Sequence, residues 1–99
     1  MGRDFRRDER HDIAIYGRFR YAGRNYDVPL LDLSETGARF YDKYGSLESD
    51  TVLNLRIDEM GPFQATVRWR KGDYVGVQFE RPLYGPVMDY IIAKGKGSQ

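Results

Sequence analysis

The sequence predicts an all-β domain in which six antiparallel strands form a barrel and one helix follows at the C-terminal end. Six segments place apolar residues at every second position, which is typical of half-buried strands. Turn residues separate these segments at short intervals, and this spacing favours a small antiparallel barrel or sandwich. Only the last segment changes to a helical period. The 99 residues are enough for one domain with one compact core.

The first two strands form a predicted hairpin. Apolar residues alternate with polar ones along residues 12–21, and residues 22–25 supply a turn that contains Gly23. The chain returns as a second strand over residues 26–33. Pro29 has no backbone N–H to donate, so we expect a bulge or an unpaired edge at that position.

Four more strands and a helix follow. The strands are predicted at residues 38–41, 51–57, 63–70 and 74–80. Residues 82–94 then place one apolar stripe along a helix, and this stripe consists of Tyr84, Val87, Met88, Ile91 and Ile92. Because so short a helix is marginal alone in water, we expect it to cover an open end of the barrel. Residues 1–11 are predicted to be a flexible, arginine-bearing arm, residues 12–94 the barrel with its helix, and residues 95–99 a disordered tail.

Composition excludes several classes of site and partner. The chain has no cysteine and one histidine, His11, so disulfides, thiolate metal sites and a histidine-based catalytic centre are not expected. The formal net charge of +1 does not fit binding to long nucleic acid by charge. No apolar run reaches the length of a membrane span, and the N-terminus lacks the apolar segment of a signal peptide. We therefore expect a soluble cytoplasmic protein.

A polar corner between the second and third strands carries the first candidate site residues. Strand alternation predicts that Leu31 and Leu33 point to the core, while Asp32 and Ser34 share the outer face. The corner offers a carboxylate acceptor, a hydroxyl and a bare backbone N–H near Gly37, a residue that permits a positive φ or a close approach to the backbone. On its own, this stretch is interpreted as a polar hairpin turn.

The N-terminal arm carries the second group of candidates. Arg6 and Arg10 lie four residues apart in a segment too polar for the core. A guanidinium group presents a rigid fork of donors that matches phosphate oxygens and the O6 and N7 atoms of guanine. Arg7 has two open interpretations, because it could join these arginines on a ligand or pair with Asp8 or Glu9.

The two groups together resemble the signature of PilZ domains, which are bacterial receptors for cyclic di-GMP. The resemblance rests on Arg6-x-x-x-Arg10 followed by Asp32-x-Ser34-x-x-Gly37. It continues through residues 67–69 and 74–79 to the C-terminal helix and covers about residues 5–93. It implies a barrel of the split-barrel type and cyclic di-GMP as the ligand.

The resemblance also implies a role for each residue of the signature. Arg6 and Arg10 would contact phosphate and base, and Asp32 would accept a hydrogen bond from a guanine N–H. Ser34 would hydrogen-bond the ligand, and Gly37 would shape the turn.

Two further residues are candidates for packing on a base. Alternation places Trp69 on the core face or at the barrel rim, and a rim position would let its ring stack on a base. Gly76 points outward between two valines, where it could leave room for a flat base or mark a bulge. The other strand arginines are interpreted as solvent-facing; they are Arg18, Arg20, Arg68 and Arg70.

The resulting functional hypothesis is a cyclic di-GMP receptor without enzymatic activity. Ser34 has no plausible general base, since His11 is the single histidine. A domain this small would act as a monomer through an unidentified downstream protein, with a surface that changes when the arm folds onto the barrel. Two alternatives stay open. One is a degenerate relative that binds only a protein partner, and the other is an OB-like barrel for single-stranded nucleic acid.

Overall fold

The structure, a computed structural model, describes residues 9–45 and 47–96 of the chain. Six strands and one helix follow each other in this part, namely β1 (His11–Tyr21), β2 (Arg24–Leu33), β3 (Gly37–Tyr41), β4 (Val52–Ile57), β5 (Met60–Lys71), β6 (Tyr74–Phe79) and α1 (Gly85–Lys96). All paired strands are antiparallel, and they close into a barrel in the order β1-β2-β3-β6-β5-β4. The predicted fold class is confirmed.

The barrel interior is filled by the apolar residues that alternate along the strands. Among the largest fully buried side chains are Phe19, Phe40, Leu55, Ile57 and Val67, which come from β1, β3, β4 and β5. Burial of one side chain of this size stabilises the folded state by about 1.5–3 kcal/mol. The core thus follows from the period-two pattern of the sequence.

The β1–β2 hairpin is tighter than the sequence suggests. Its turn consists of Ala22 and Gly23, both with positive φ (51° and 81°), as the favoured two-residue hairpin turns require. Pro29 lies opposite Tyr16 within the β1–β2 ladder, and the irregularity in this ladder lies between Asp12 and Ile15 instead. A bulge at Pro29 is therefore not found, but the β2–β3 pairs begin at Leu30, so Pro29 is unpaired on the β3 side, as the other alternative predicted.

A second irregularity, between β2 and β3, corrects the prediction for Leu31. Leu30 pairs with Phe40 and Asp32 pairs with Arg39, so Leu31 is an extra residue in β2. Its side chain is 38% exposed rather than in the core. Leu33 is buried as predicted.

A third irregularity, in β5, corrects the placement of Trp69. Val67 pairs with Val77 and Trp69 pairs with Gly76, which leaves Arg68 without a direct partner in β6. The extra residue reverses the alternation, so Trp69 leaves the core face and is 39% exposed.

The helix α1 packs on β1 and joins the core. Met88 and Ile91 are buried, and a Cβ added at Gly95 would lie 2.7 Å from Ile13 Cβ, so helix and strand are in close contact. The predicted apolar stripe is confirmed except at Tyr84, which is exposed and precedes the helix. In the described part of the chain, no helix combines the length and apolar character needed to cross a membrane.

Candidate functional site

The buried carboxylate of Asp32, near the end of β2, binds two arginines. Arg39 donates from Nε and Nη2 to Oδ2, with 2.8 Å between Nε and Oδ2. Arg10 donates from Nη1 to Oδ1 at 3.1 Å. Asp32 is 2% exposed although its strand position faces outward, because these guanidinium groups lie against it. Asp12, which pairs with Asp32 in the β1–β2 ladder, brings a second carboxylate whose charge also acts on Arg39.

Strand register explains why these side chains meet. Asp32 and Arg39 are direct partners in the β2–β3 ladder, and opposite charges on facing positions attract each other. The side-chain hydrogen bond to Asp32 raises the pKa of the Arg39 guanidinium. Arg10 immediately precedes β1, whose residue Asp12 pairs with Asp32, and this brings the end of the arm to the same edge.

The Ser34 hydroxyl organises the corner between β2 and β3. Ser34 Oγ accepts hydrogen bonds from the backbone N–H of Gly37 at 3.2 Å and of Thr36 at 3.3 Å. The Ser34 N–H donates to the Gly37 carbonyl at 2.9 Å. The sequence prediction of a bare N–H at Gly37 is therefore wrong, because the turn itself uses that donor.

Gly37 is required by a close approach between β3 and β6. A Cβ at this position would lie 2.3 Å from the carbonyl oxygen of Val77, a distance that real Cβ atoms do not reach. The corner is also tied to the chain that leads to α1. The Phe79 N–H donates to the Thr36 carbonyl and the Leu83 N–H donates to the Glu35 carbonyl, both at 2.8 Å.

A row of outward-facing residues crosses four strands next to the corner. Asp32 pairs with Arg39, Arg39 with Gly76, and Gly76 with Trp69. The Trp69 indole lies over Gly76, since a Cβ there would be 2.3 Å from its Cε2 and Nε1 atoms. The absence of a side chain at Gly76 therefore makes room for the protein's own tryptophan.

A surface cavity of about 210 Å³ joins these features. Four of its lining residues are among the candidates from the sequence, namely Arg10, Gly37, Trp69 and Gly76. The others are Thr36, Arg68, Val77 and Gln78. The cavity thus combines guanidinium donors with an aromatic ring.

The sequence matches one protein family over most of its length. The family model described as PilZ domain matches residues 4–90 of the 99-residue chain. The chain belongs to the PilZ domain family. No curated protein matches the sequence.

In this PilZ domain, the structure brings part of the predicted site together. Arg10, Asp32 and Gly37 meet at the corner, and Ser34 braces it from within without lining the cavity. Arg6 and Arg7 lie outside the described residues.

Several residues at or beside the cavity were not predicted as site residues, and among them are Arg39, Arg68 and Gln78, which make side-chain hydrogen bonds there. Arg39 binds Asp32, and Arg68 donates from Nε to Gln78 Oε1 at 2.8 Å. Residues 34–37 form the corner, so residue 33 pairs with residue 38 and residue 32 pairs with residue 39. The position of Arg39 opposite Asp32 could therefore have been predicted from the sequence. Nothing comparable marks Arg68 and Gln78, because their neighbourhood depends on the extra residue in β5.

Two of the arginines interpreted as solvent-facing have other surroundings in the PilZ domain. Arg68 is exposed but lines the cavity. Arg70 is largely buried and donates from Nη1 to Asp42 Oδ2 at 3.1 Å. The β5 irregularity turns Arg70 toward the interior when it turns Trp69 outward, so the solvent-facing interpretation of Arg70 is wrong.

A second, more voluminous cavity of the PilZ domain lies elsewhere. It measures about 650 Å³ and is lined by residues of β1, β2 and β4, including Arg18, Asp27 and Arg56. Arg18 and Asp27 bind each other there, with 2.7 Å between Nε and Oδ1, so their charges are already compensated. Within residues 9–45 and 47–96, no group of three His, Cys, Asp or Glu residues is arranged to hold a metal ion.

A substitution at Gly76 tests the packing of the indole. We expect Gly76→Ala to displace Trp69, because the new methyl group would occupy the place of the ring. Trp69 is the single tryptophan, so its fluorescence emission should shift to longer wavelength as the ring becomes more exposed. Gly85→Ala is the matched control, since a Cβ there meets nothing within 4 Å. An unchanged spectrum in Gly76→Ala would contradict the described packing.

Proposed function

We propose that this PilZ domain is a receptor for cyclic di-GMP and binds it at the cavity beside the Asp32 corner. The observation that carries the proposal is the convergence of Arg10, Gly37, Trp69 and Gly76 on one cavity, although they lie far apart in the sequence. Membership of a family that binds cyclic di-GMP supports the same ligand.

The chemistry of the cavity suits a ligand with both phosphates and guanines. Arg10 and Arg68 carry guanidinium groups, which bind phosphate oxygens and the O6 and N7 edge of guanine. The exposed face of Trp69 offers a stacking surface, and stacking of a base on an aromatic ring contributes about 1–3 kcal/mol.

The size of the cavity indicates how much of the ligand it holds. At about 210 Å³ it is smaller than the ~300–1,000 Å³ that is common for drug-sized ligands. The proposal therefore places one half of the dinucleotide at this cavity. The other half would lie against the arm, where the proposal places Arg6 and Arg7 as further phosphate contacts.

In this proposal, Asp32 and Ser34 do not line the cavity but hold residues of the site in place. The carboxylate holds Arg10, and the Ser34 hydroxyl keeps the corner in shape. The contact between Asp32 and a guanine N–H that the family resemblance implies would compete with two arginines for the same oxygens.

A surface change, rather than a reaction, would carry the signal. The hydrogen bonds from Phe79 and Leu83 connect the corner to the segment before α1. A groove of about 270 Å³ lies on that segment and is lined by apolar side chains that include Phe63, Leu83 and Val87. Closure of the residues before β1 over the ligand would alter the surface that a downstream protein meets. The proposed setting is a monomer in a bacterial cytoplasm.

Titration calorimetry tests the ligand. We expect cyclic di-GMP to bind and GMP and GTP to bind far more weakly, because only the cyclic dinucleotide offers two phosphates and two guanines together. Arg10→Ala should weaken binding about tenfold or more, since it removes a charge-assisted hydrogen bond. Arg18→Ala should leave the affinity unchanged, because Arg18 lies in the other cavity and is paired with Asp27.

Three outcomes of this experiment would contradict the proposal. If GMP bound as tightly as cyclic di-GMP at the same salt concentration, a site that contacts both halves of the dinucleotide would not be needed. Equal losses in the Arg10 and Arg18 variants would place the ligand elsewhere. Tight binding to random single-stranded DNA would favour an OB-like function instead.

A further inference from the structure

The two arginines on Asp32 are held unequally. Arg39 donates two hydrogen bonds to one carboxylate oxygen and comes from the adjacent strand, where the register fixes its backbone. Arg10 donates one hydrogen bond, at 3.1 Å, from a residue that precedes the first strand. Both side chains are about half exposed, while Asp32 is buried.

A buried carboxylate restricts what its partners can do. Leaving such a group without a countercharge is strongly unfavourable, because it loses water and gains nothing in return. If Arg10 were the only partner of Asp32, it could turn to a ligand phosphate only by leaving the carboxylate uncompensated. With Arg39 in place, Asp32 keeps a charged partner and two hydrogen bonds after Arg10 departs.

We propose that Arg39 is a positioning residue that retains Asp32 and thereby frees Arg10 for the ligand, an inference that rests on the cyclic di-GMP function proposed above. Among the described residues, the side-chain hydrogen bonds of Arg39 all go to Asp32. Arg39 does not line the cavity, whereas Arg10 does. The fold therefore assigns one arginine to the buried anion and leaves the other free to exchange between that anion and the ligand.

The test combines substitutions of Arg39 and Asp32 and measures the affinity for cyclic di-GMP. Arg39→Met should weaken binding about tenfold or more, because Arg10 then becomes the sole countercharge of Asp32. Adding Asp32→Asn to Arg39→Met should restore most of the affinity, since a neutral amide no longer needs Arg10 as a countercharge. Arg39→Lys, which keeps one charge but not the fork, should fall between Arg39→Met and the wild type.

A third substitution tests whether Asp32→Asn restores affinity through Arg10 or only by stabilising the fold. Adding Arg10→Ala to the Arg39→Met, Asp32→Asn variant should abolish the recovered affinity, because the recovery works through Arg10. Arg18→Met is the matched control for Arg39→Met. Arg18 also binds an aspartate of the neighbouring strand through Nε and Nη2, but far from the cavity, so its loss should not change binding.

Melting temperatures identify variants that do not fold at the assay temperature. If Arg39→Met is one of them, the comparison is made between Arg39→Lys and Arg39→Lys with Asp32→Asn, with recovery expected in the same direction. The inference is overturned if Arg39→Met binds like the wild type. It is also overturned if Asp32→Asn weakens the Arg39 variant further, which would show that Asp32 itself contacts the ligand. A wild-type protein that does not bind cyclic di-GMP would overturn the proposed function and this inference with it.

Discussion

Arg70→Met is expected to lower the free energy of unfolding by about 3–5 kcal/mol, the range typical for breaking a buried ion pair from one side. Asp42 is 0% exposed, and Arg70 is its charged partner. The substitution keeps a long apolar side chain but leaves the carboxylate without a countercharge. Urea unfolding followed by far-UV circular dichroism measures the change.

The effect should be large because Arg70 connects three parts of the fold. Besides the Asp42 carboxylate, it donates to the backbone carbonyls of Asp42 at 2.9 Å and of Leu47 at 3.1 Å. Leu47 is fully buried, so the loop between β3 and β4 is held against the barrel by this arginine and by that side chain. Asp73, in the β5–β6 turn, lies 3.7 Å from Arg70 Nη2.

Two controls distinguish loss of the buried pair from a general effect of removing an arginine. Arg18→Met removes an exposed pair and should leave the stability nearly unchanged, because solvent already screens that interaction. Arg70→Met with Asp42→Asn should recover part of the loss, since the buried charge is then removed as well. If Arg18→Met and Arg70→Met destabilise equally, the Asp42 pair has no special role.

Gly37→Ala is expected to lower the free energy of unfolding by about 2–3 kcal/mol and to weaken ligand binding as well. The added methyl group would meet the Val77 carbonyl, which belongs to the backbone and cannot rotate away. Relief requires β3 and β6 to separate where they form the cavity wall, so the strain falls on the site itself. Thermal unfolding and calorimetry with cyclic di-GMP measure the two effects.

The control for this prediction is a glycine in open space. Gly85→Ala, at the start of α1, introduces the same methyl group without a contact and should leave both stability and affinity unchanged. A Gly37→Ala protein as stable as the wild type would mean that the ladder between β3 and β6 adapts at little cost. In that case Gly37 would have no structural role at the corner.

The fold could be predicted from the sequence because alternation and turns are local signals. The pairing of Asp32 with Arg39 can be predicted by counting residues outward from the short corner. Beyond an extra residue in either strand, the same count gives the wrong partner. Leu31 and Trp69 were misplaced for this reason, since a bulge reverses the alternation beyond it and leaves no clear mark in the sequence. The burial of Asp32 and Arg70 depends on partners from other strands, which single-strand patterns do not reveal.

The extra residue in β5 has a consequence for how this domain could change over time. By reversing two neighbours at once, it presents Trp69 to solvent and Arg70 to the interior. If the strand were straightened without a change in length, each residue beyond Val67 would move by one position, so that Arg68 would face Gly76 and Trp69 would face Val75. The indole would then point to the interior, and Arg70 would point to solvent, away from the Asp42 carboxylate. The exposed aromatic surface and the anchoring of the β3–β4 loop therefore both depend on this one extra residue.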